Sequence, residues 1–384
     1  MELRAYNRDI EPLGIIDEIA SLTWRIRYFN NGEFSMLAPV TDNNKELLKN
    51  GTILVKHDAY KVLEVDGSKW RRAMEITYMH ITKDENGSEQ IECKGYTLSK
   101  WLNKRIVSQL VMSGTCQQII TALVRQNAGP DATSKRRFEH FEILSQDDYG
   151  GQTVEYASDE YTELLSTIAR VAVSGKLGFD ILVDERNQLY GFYLYKGVDK
   201  TSTNSAGNQP CIFSRDFDNV NDQTYEDSTD DVKNFMYIVG PKDEQTGVAP
   251  IETIDEGGKS GIDLCEAYSN ATDIALSYTD PDGTEHTMTE EEQRKKMVQR
   301  GSEELASYVE TLNFSSSINM RSNLVYKTDF SLGDVVTCID KRWGIQIDAR
   351  ISEVAETFEK GRQTIEAVFG ESSPTLIDKI KKVR

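Results

Sequence analysis

The stretch from Asp329 to Gly370, DFSLGDVVTCIDKRWGIQIDARISEVAETFEKGRQTIEAVFG, decides the fold class. Residues 334–339, 345–351 and 364–369 are β-branched or alternating runs, which predict consecutive strands. Turn signals separate them at Leu332-Gly333-Asp334, Lys341-Arg342-Trp343-Gly344 and Glu359-Lys360-Gly361-Arg362. Short antiparallel strands lose their exposed edges most simply in a closed or nearly closed barrel, so a barrel is expected here. No catalytic motif occurs in the stretch.

Working back from it, a strand is expected at Leu312-Asn313-Phe314-Ser315, and a helix before it from Thr289 to Leu312. Thr289 is its cap, three glutamates in the first turn complement the dipole, and Gly301 is expected to interrupt it. Residues 242–310 carry 17 acidic and 6 basic residues, with a turn at 278–284. Strands are expected at 211–216 and 234–240. Between them Asp216 to Asp231 holds seven acidic residues and no basic one. Read as a calcium loop, it has an apolar Val220 at position five, no Gly at six and no Glu at twelve, so the EF-hand pattern fails and a solvated acidic loop is expected. Beyond the barrel, the tail from Pro374 to Arg384 is expected to form a short helix.

Toward the N-terminus, residues 1 to 104 read as all-β. Leu22 to Tyr28 and Phe34 to Ala38 flank an Asn30-Asn31-Gly32-Glu33 turn, and Asn-Gly is a strong hairpin signal. Further strands are expected at 52–56, 60–65, 72–78 and 90–96, followed by an apolar helical turn from Thr97. At Thr115 the period changes. Cys116, Ile119, Ile120, Leu123 and Val124 share one helical face, with Gly129-Pro130 as stop. A second helix is expected from Glu160 to about Val173, then a hairpin of 179–184 and 189–195 and a polar loop over 200–209.

Several of these segments together resemble a known family. Trp24, Arg27, Tyr28, Gly32 and Phe34 in the opening hairpin, Gly95 and Arg105 at the exit of the first β region, Asn234 and Gly240, then Leu332, Gly333, Asp334 and the closing Gly370 are similar to the phage tail baseplate hub family. That family includes the N-terminal hub part of tail-associated lysins and occurs in phage-tail-like contractile particles, or contractile injection systems. The resemblance implies a mainly β fold with α+β insertions: two antiparallel β-barrel-like hub domains plus two peripheral α+β modules. The boundaries expected are 1–104 for the first hub domain, 105–204 for an α+β insertion, 205–241 with 312–371 for a split second hub domain, 242–311 for an acidic α+β module, and 372–384 for the tail. It implies a homotrimer presenting six barrels, so that a threefold tip meets a sixfold tail tube. The implied partners are a tail tube or distal tail protein, a spike or tip protein and a tape-measure protein. The implied location is the virion tail tip or baseplate.

Composition bounds the alternatives. With 38% hydrophobic and 28% charged residues, the 384-residue chain is that of a globular protein of two to four domains. No signal-peptide pattern opens it and no apolar run approaches the ~20 residues of a membrane span, so synthesis in the host cytoplasm and no stable membrane association are expected. Five scattered cysteines and four scattered histidines indicate neither a disulfide framework nor a metal site, and no cofactor is expected. A net charge of −19 argues against a phosphate-binding surface; DNA is expected to pass without specific binding. No P-loop, GxGxxG, HExxH or GxSxG is present. Tail-associated lysins carry their cleaving domain after the hub, and none follows here, which favours a structural, non-enzymatic role.

Two other readings stay open from the sequence. A cell-wall (peptidoglycan) hydrolase would use carboxylates such as Glu353, Glu356 or Glu366. A host-surface carbohydrate-binding tail protein would use Trp70, Tyr190, Phe192, Tyr193 and Tyr195, whose alternation is also that of a packed hairpin.

Overall fold

A computed structural model describes residues 2–16, 18–57, 63–65, 67–107, 110–144, 147–158, 161–243, 246–279, 285–308 and 310–370. The tail helix expected from Pro374 and residues 280–284 of the turn expected at 278–284 lie outside them.

One antiparallel order dominates. It starts at Pro12–Ile16 and passes through Glu2–Tyr6, Ile53–His57, Ser68–Lys83, Glu89–Thr97, Glu33–Pro39 and Ser21–Arg27. It continues through Ile345–Glu359, Arg362–Gly370 and Thr311–Ile318 to Val220–Ser228. The strands of the closing stretch lie where the alternating runs predict, but Ile345–Glu359 is 15 residues long, well past the expected stop at Ile351. Its first half pairs with Val335–Asp340, and after a register shift between Ile351 and Glu353 its second half pairs with Arg362–Gly370 on one side and Ser21–Arg27 on the other. Lys360 and Gly361, both at positive φ (50° and 74°), close the tight hairpin to Arg362–Gly370 as a type I′ turn.

This shared strand corrects the two-barrel expectation. Among the described residues no pairing closes the order on itself, and the two β regions enclose one core. Leu22, Trp24, Met36 and Cys93 from the first region meet Phe213, Phe314, Ile351 and Phe369 from the last. A strand too long for one small barrel serves both regions, so they merge. The fold is mainly β.

The helices follow their caps. Thr115 and Thr289 each form a capping box, with Gln118 and Glu292 respectively, and start the helices Cys116–Asn127 and Glu290–Leu305. The second expected helix spans Leu164–Gly175 and packs on Cys116–Asn127 over the hairpin Gly178–Asp184 and Leu189–Tyr195, forming a second core. That hairpin joins the main sheet through Leu182 opposite Arg72.

Three further expectations change. Val220–Ser228, read as part of a solvated loop, is a strand whose acidic side chains point outward at a sheet edge, where charge is tolerated. Phe235–Val239, expected with the second β region, pairs instead with Ile251–Asp255 and Glu266–Asn270 in a separate three-stranded sheet under Glu290–Leu305. Gly301 does not interrupt that helix. A Cβ there would lie 2.5 Å from the Ile238 side chain, so glycine lets helix and sheet approach. Gly301→Ala is expected to cost about 1–3 kcal/mol by overpacking despite its better helix propensity, read as a lower thermal midpoint.

Candidate functional site

Three of the residues that carry the resemblance, Tyr28, Gly333 and Asp334, meet at one place, the ring of Tyr28. Tyr28 directly follows the strand Ser21–Arg27 and is fully buried. Its hydroxyl lies 3.1 Å from the Lys176 carbonyl and 3.2 Å from the Tyr195 carbonyl, either of which takes its proton, and it accepts from the Gly197 N–H at 3.1 Å. Burial raises its phenol pKa, so it stays neutral and donates.

The slot around the ring is built by absent side chains. A Cβ on Gly178 would lie 2.4 Å from the Tyr28 ring and one on Gly333 2.2 Å from it, while one on Gly197 would sit 1.7 Å from the Gly333 carbonyl oxygen. Gly333 also needs its φ of +95°. The Arg350 guanidinium lies 5.1 Å from the ring centroid and donates to the Gly333 carbonyl. Asp334 ties the turn down: its carboxylate accepts from the backbone N–H of Val198 (2.9 Å) and of Ser331 (2.9 Å) and pairs with Lys200 at 3.1 Å. Segments near residues 28, 178–200 and 333–350 are thus pinned at a single point.

Two ion networks extend this junction along the shared strand. Each Glu353 oxygen meets an arginine, Arg25 at 2.9 Å and Arg27 at 2.8 Å, and Arg27 also holds Glu33 at 2.8 Å. Burial opposes the charge on Arg27, but Glu353 and Glu33 outweigh it and raise its pKa. Three residues on, the buried Glu356 pairs with Lys56 at 2.6 Å and Lys327 at 3.2 Å and accepts from Gln363 at 3.2 Å. The Lys56 ammonium sits between the Trp24 and Phe358 rings, 5.7 and 5.5 Å from their centroids. Beside the Tyr28 slot, Arg72 pairs with Asp180 at 2.8 Å and donates to the Tyr195 hydroxyl at 3.1 Å. Burial pushes the Asp180 carboxyl up against the pull of Arg72.

The other motif residues serve elsewhere. Trp24 faces Phe34 across the hairpin (centroids 6.1 Å apart), and Phe34 lies opposite Gly95 in the next pair. Gly32 donates its N–H to Thr97 at 2.8 Å in a longer connection than the Asn-Gly signal suggests, since the pairing of the two strands ends at Arg25 opposite Glu33. Arg105 donates to the Arg136 carbonyl at 2.7 Å and stacks on Phe138 at 4.5 Å. Asn234 bridges the Asp263 carbonyl and the Cys265 N–H, and Gly240 lies against Met297, all in the separate sheet. Leu332 is buried at the turn, and Gly370 ends the last strand opposite Asn313.

Gly178, Gly197 and the Arg72–Asp180 pair carry no signal in sequence, and neither does the approach of Arg350 to Tyr28 or of Lys56 to Glu356. Their partners lie far away along the chain, and nothing local marks them.

The residues proposed for catalysis and sugar binding are largely structural. Glu353 and Glu356 are held by cations as described. Trp70, Tyr190 and Phe192 are buried, while Tyr193 and Tyr195 stack on each other half-buried, 5.7 Å apart. The Cys93 thiol is pushed up to about 12 and that of Cys211 to about 11 by burial, which makes them inert. Among the described residues no group of three or more His, Cys, Asp or Glu side chains is arranged to hold a metal, and no helix is long and apolar enough to cross a membrane.

Comparison with solved structures places the fold. The 43 kDa tail protein of prophage MuSo2 from Shewanella oneidensis aligns with a TM-score of 0.54 at 12% identity, over 96% of this chain and 98% of its own. A tail protein from Neisseria meningitidis MC58 aligns with a TM-score of 0.54 at 10% identity, over 97% and 96%. The prophage tail protein gp18 from Listeria monocytogenes EGD-e gives 0.52 at 13% identity, over 100% and 98%. At such identities the likeness shows a shared fold. No curated protein matches the chain in sequence. A family model, that of the Siphovirus ReqiPepy6 Gp37-like protein, does match, over residues 2–371. The chain therefore belongs to the Siphovirus ReqiPepy6 Gp37-like protein family.

Proposed function

We propose that the protein is the structural hub of a phage or phage-tail-like tail, a non-enzymatic homotrimeric ring at the tail tip or baseplate that adapts a sixfold tube to a threefold tip and closes or opens the tube end. The observation that carries this reading is the strand Ile345–Glu359, which welds both β regions into one plate with one core. A subunit built this way transmits load between its ends without internal hinging, which suits a tube adaptor. In this reading segments 1–104 and 205–228 with 312–371 form the ring wall, and 105–204 and the module of 234–308, which includes Phe235–Val239, lie outside it. Its neighbours are the tail tube or distal tail protein, a spike or tip protein and the tape-measure protein. The charge of −19 lets DNA pass the channel without specific binding.

Light scattering over a concentration series, with negative-stain images of the same sample, tests this. The expected result is a particle of three chains with a central hole and no retention of duplex DNA at physiological salt. A monomer at every concentration, or hydrolysis of purified peptidoglycan, would count against it.

A further inference from the structure

We propose that the outer half of the strand Ser68–Lys83 is an intermolecular edge that pairs with the strand Val220–Ser228 of a second copy of this chain, so that the sheet runs on from subunit to subunit; the pairing rests on the ring reading above. The partner strand Ile53–His57 covers Ser68–Lys83 only as far as Glu75, and the last contacts on that side are between Ile76 and the backbone at Gly51 and Thr52. From Thr77 to Lys83 all seven residues are exposed, and on this side no strand among the described residues meets them. On the other side Glu89–Thr97 pairs with it, and after a register shift between Ile76 and Tyr78 Met79 lies opposite Cys93 and Ile81 opposite Ile91.

Those pairs carry the argument. Cys93 and Ile91 are buried in the core together with their own neighbours Met36 and Ala38. Met79 and Ile81 extend the same two apolar rows over the sheet edge, yet are 38% and 46% exposed. Core-facing side chains on an unpaired edge are what a monomeric protein avoids.

The other two edges of the order differ. Pro12–Ile16 is short, starts with a residue lacking an N–H, and has its Ile15 carbonyl taken by the Asn43 side chain at 3.0 Å. Val220–Ser228 is nine residues long, pairs only with Thr311–Ile318, and exposes Asp222, Glu226 and Asp227. Two such acidic edges repel each other. Thr77 to Lys83 contains no carboxylate, and its Lys83 is held by Glu89 at 3.1 Å, so it is an edge that an acidic strand can join without like-charge repulsion. Joining two unlike edges is a head-to-tail contact, the kind that closes into rings.

The test uses the full chain. Light scattering compares wild type with Met79→Glu/Ile81→Glu, with Asp222→Lys/Asp227→Lys on the opposing edge, and with Ile262→Glu at a fully exposed site, each checked for folding by circular dichroism. Hydrogen exchange is read in dilute and assembled samples. We expect both edge variants to fall to the mass of one chain, Ile262→Glu to assemble like wild type, and amides of 77–83 and 220–228 to exchange about tenfold more slowly on assembly. A wild-type trimer whose mass neither edge variant changes overturns the strand pairing and leaves the ring reading standing. A particle of two chains protected at 77–83 alone overturns the pairing with 220–228 in favour of like edges. A wild type that stays at one chain overturns both.

Discussion

Tyr28→Ala is expected to destabilise the protein by about 3–5 kcal/mol, the range for removing a fully buried aromatic ring. The cavity cannot collapse easily. Its walls are backbone at Gly178, Gly197 and Gly333, and backbone held by the pairing of Gly178 with Tyr195 and the bond from Gly333 N–H to the Ile351 carbonyl moves less than a flexible side chain. Tyr28→Phe isolates the hydroxyl. It keeps the ring and leaves the Gly197 N–H without its acceptor, so a loss of about 1–3 kcal/mol is expected. Urea unfolding followed by tryptophan fluorescence checks both, with the first transition compared. Because the slot joins three segments, Tyr28→Ala is also expected to expose the 178–200 region to protease before the rest. Uniform susceptibility along the chain would show that Tyr28 is an ordinary core residue and not a junction.

Glu356→Ala is expected to cost a similar amount, about 3–5 kcal/mol, by a different mechanism. The substitution leaves the Lys56 ammonium buried between Trp24 and Phe358 without its carboxylate at 2.6 Å, and a buried charge stripped of its partner is strongly unfavourable. The double variant Lys56→Met/Glu356→Leu removes both charges and is expected to regain most of that loss, since apolar replacements of a buried pair are often neutral or better. Thermal unfolding of the two single variants and the double one gives the coupling directly. Additive losses in the double variant would mean that the pair does not act as a unit. Lys327, which also reaches Glu356 at 3.2 Å, moderates the result: it is more exposed and can turn to solvent when the carboxylate is gone.

Both expectations concern interactions between residues more than a hundred positions apart, and this marks the limit of what the sequence reveals. The period-2 runs of 334–339, 345–351 and 364–369 determine strands because alternation is a property of neighbours along the chain, and these strands are present. The helices after Thr115 and Thr289 are legible for the same reason: entry residue, apolar face and, at Thr289, three glutamates all lie within a few residues. The mainly β class follows from such local signals, and the family resemblance rests on short motifs of the same local kind. Tertiary structure alone decided that Ile345–Glu359 continues past Ile351 and binds Ser21–Arg27, which merges two expected barrels into one core. It also decided that Phe235–Val239 joins a separate sheet, that Gly301 is a packing contact, and that the acidic run at 220–228 is an edge strand. In each case a strand's partner, or the space beside a glycine, is set by what arrives from a distant part of the chain. Local propensity fixes what a segment becomes, whereas the burial of its apolar face against another segment fixes where it goes.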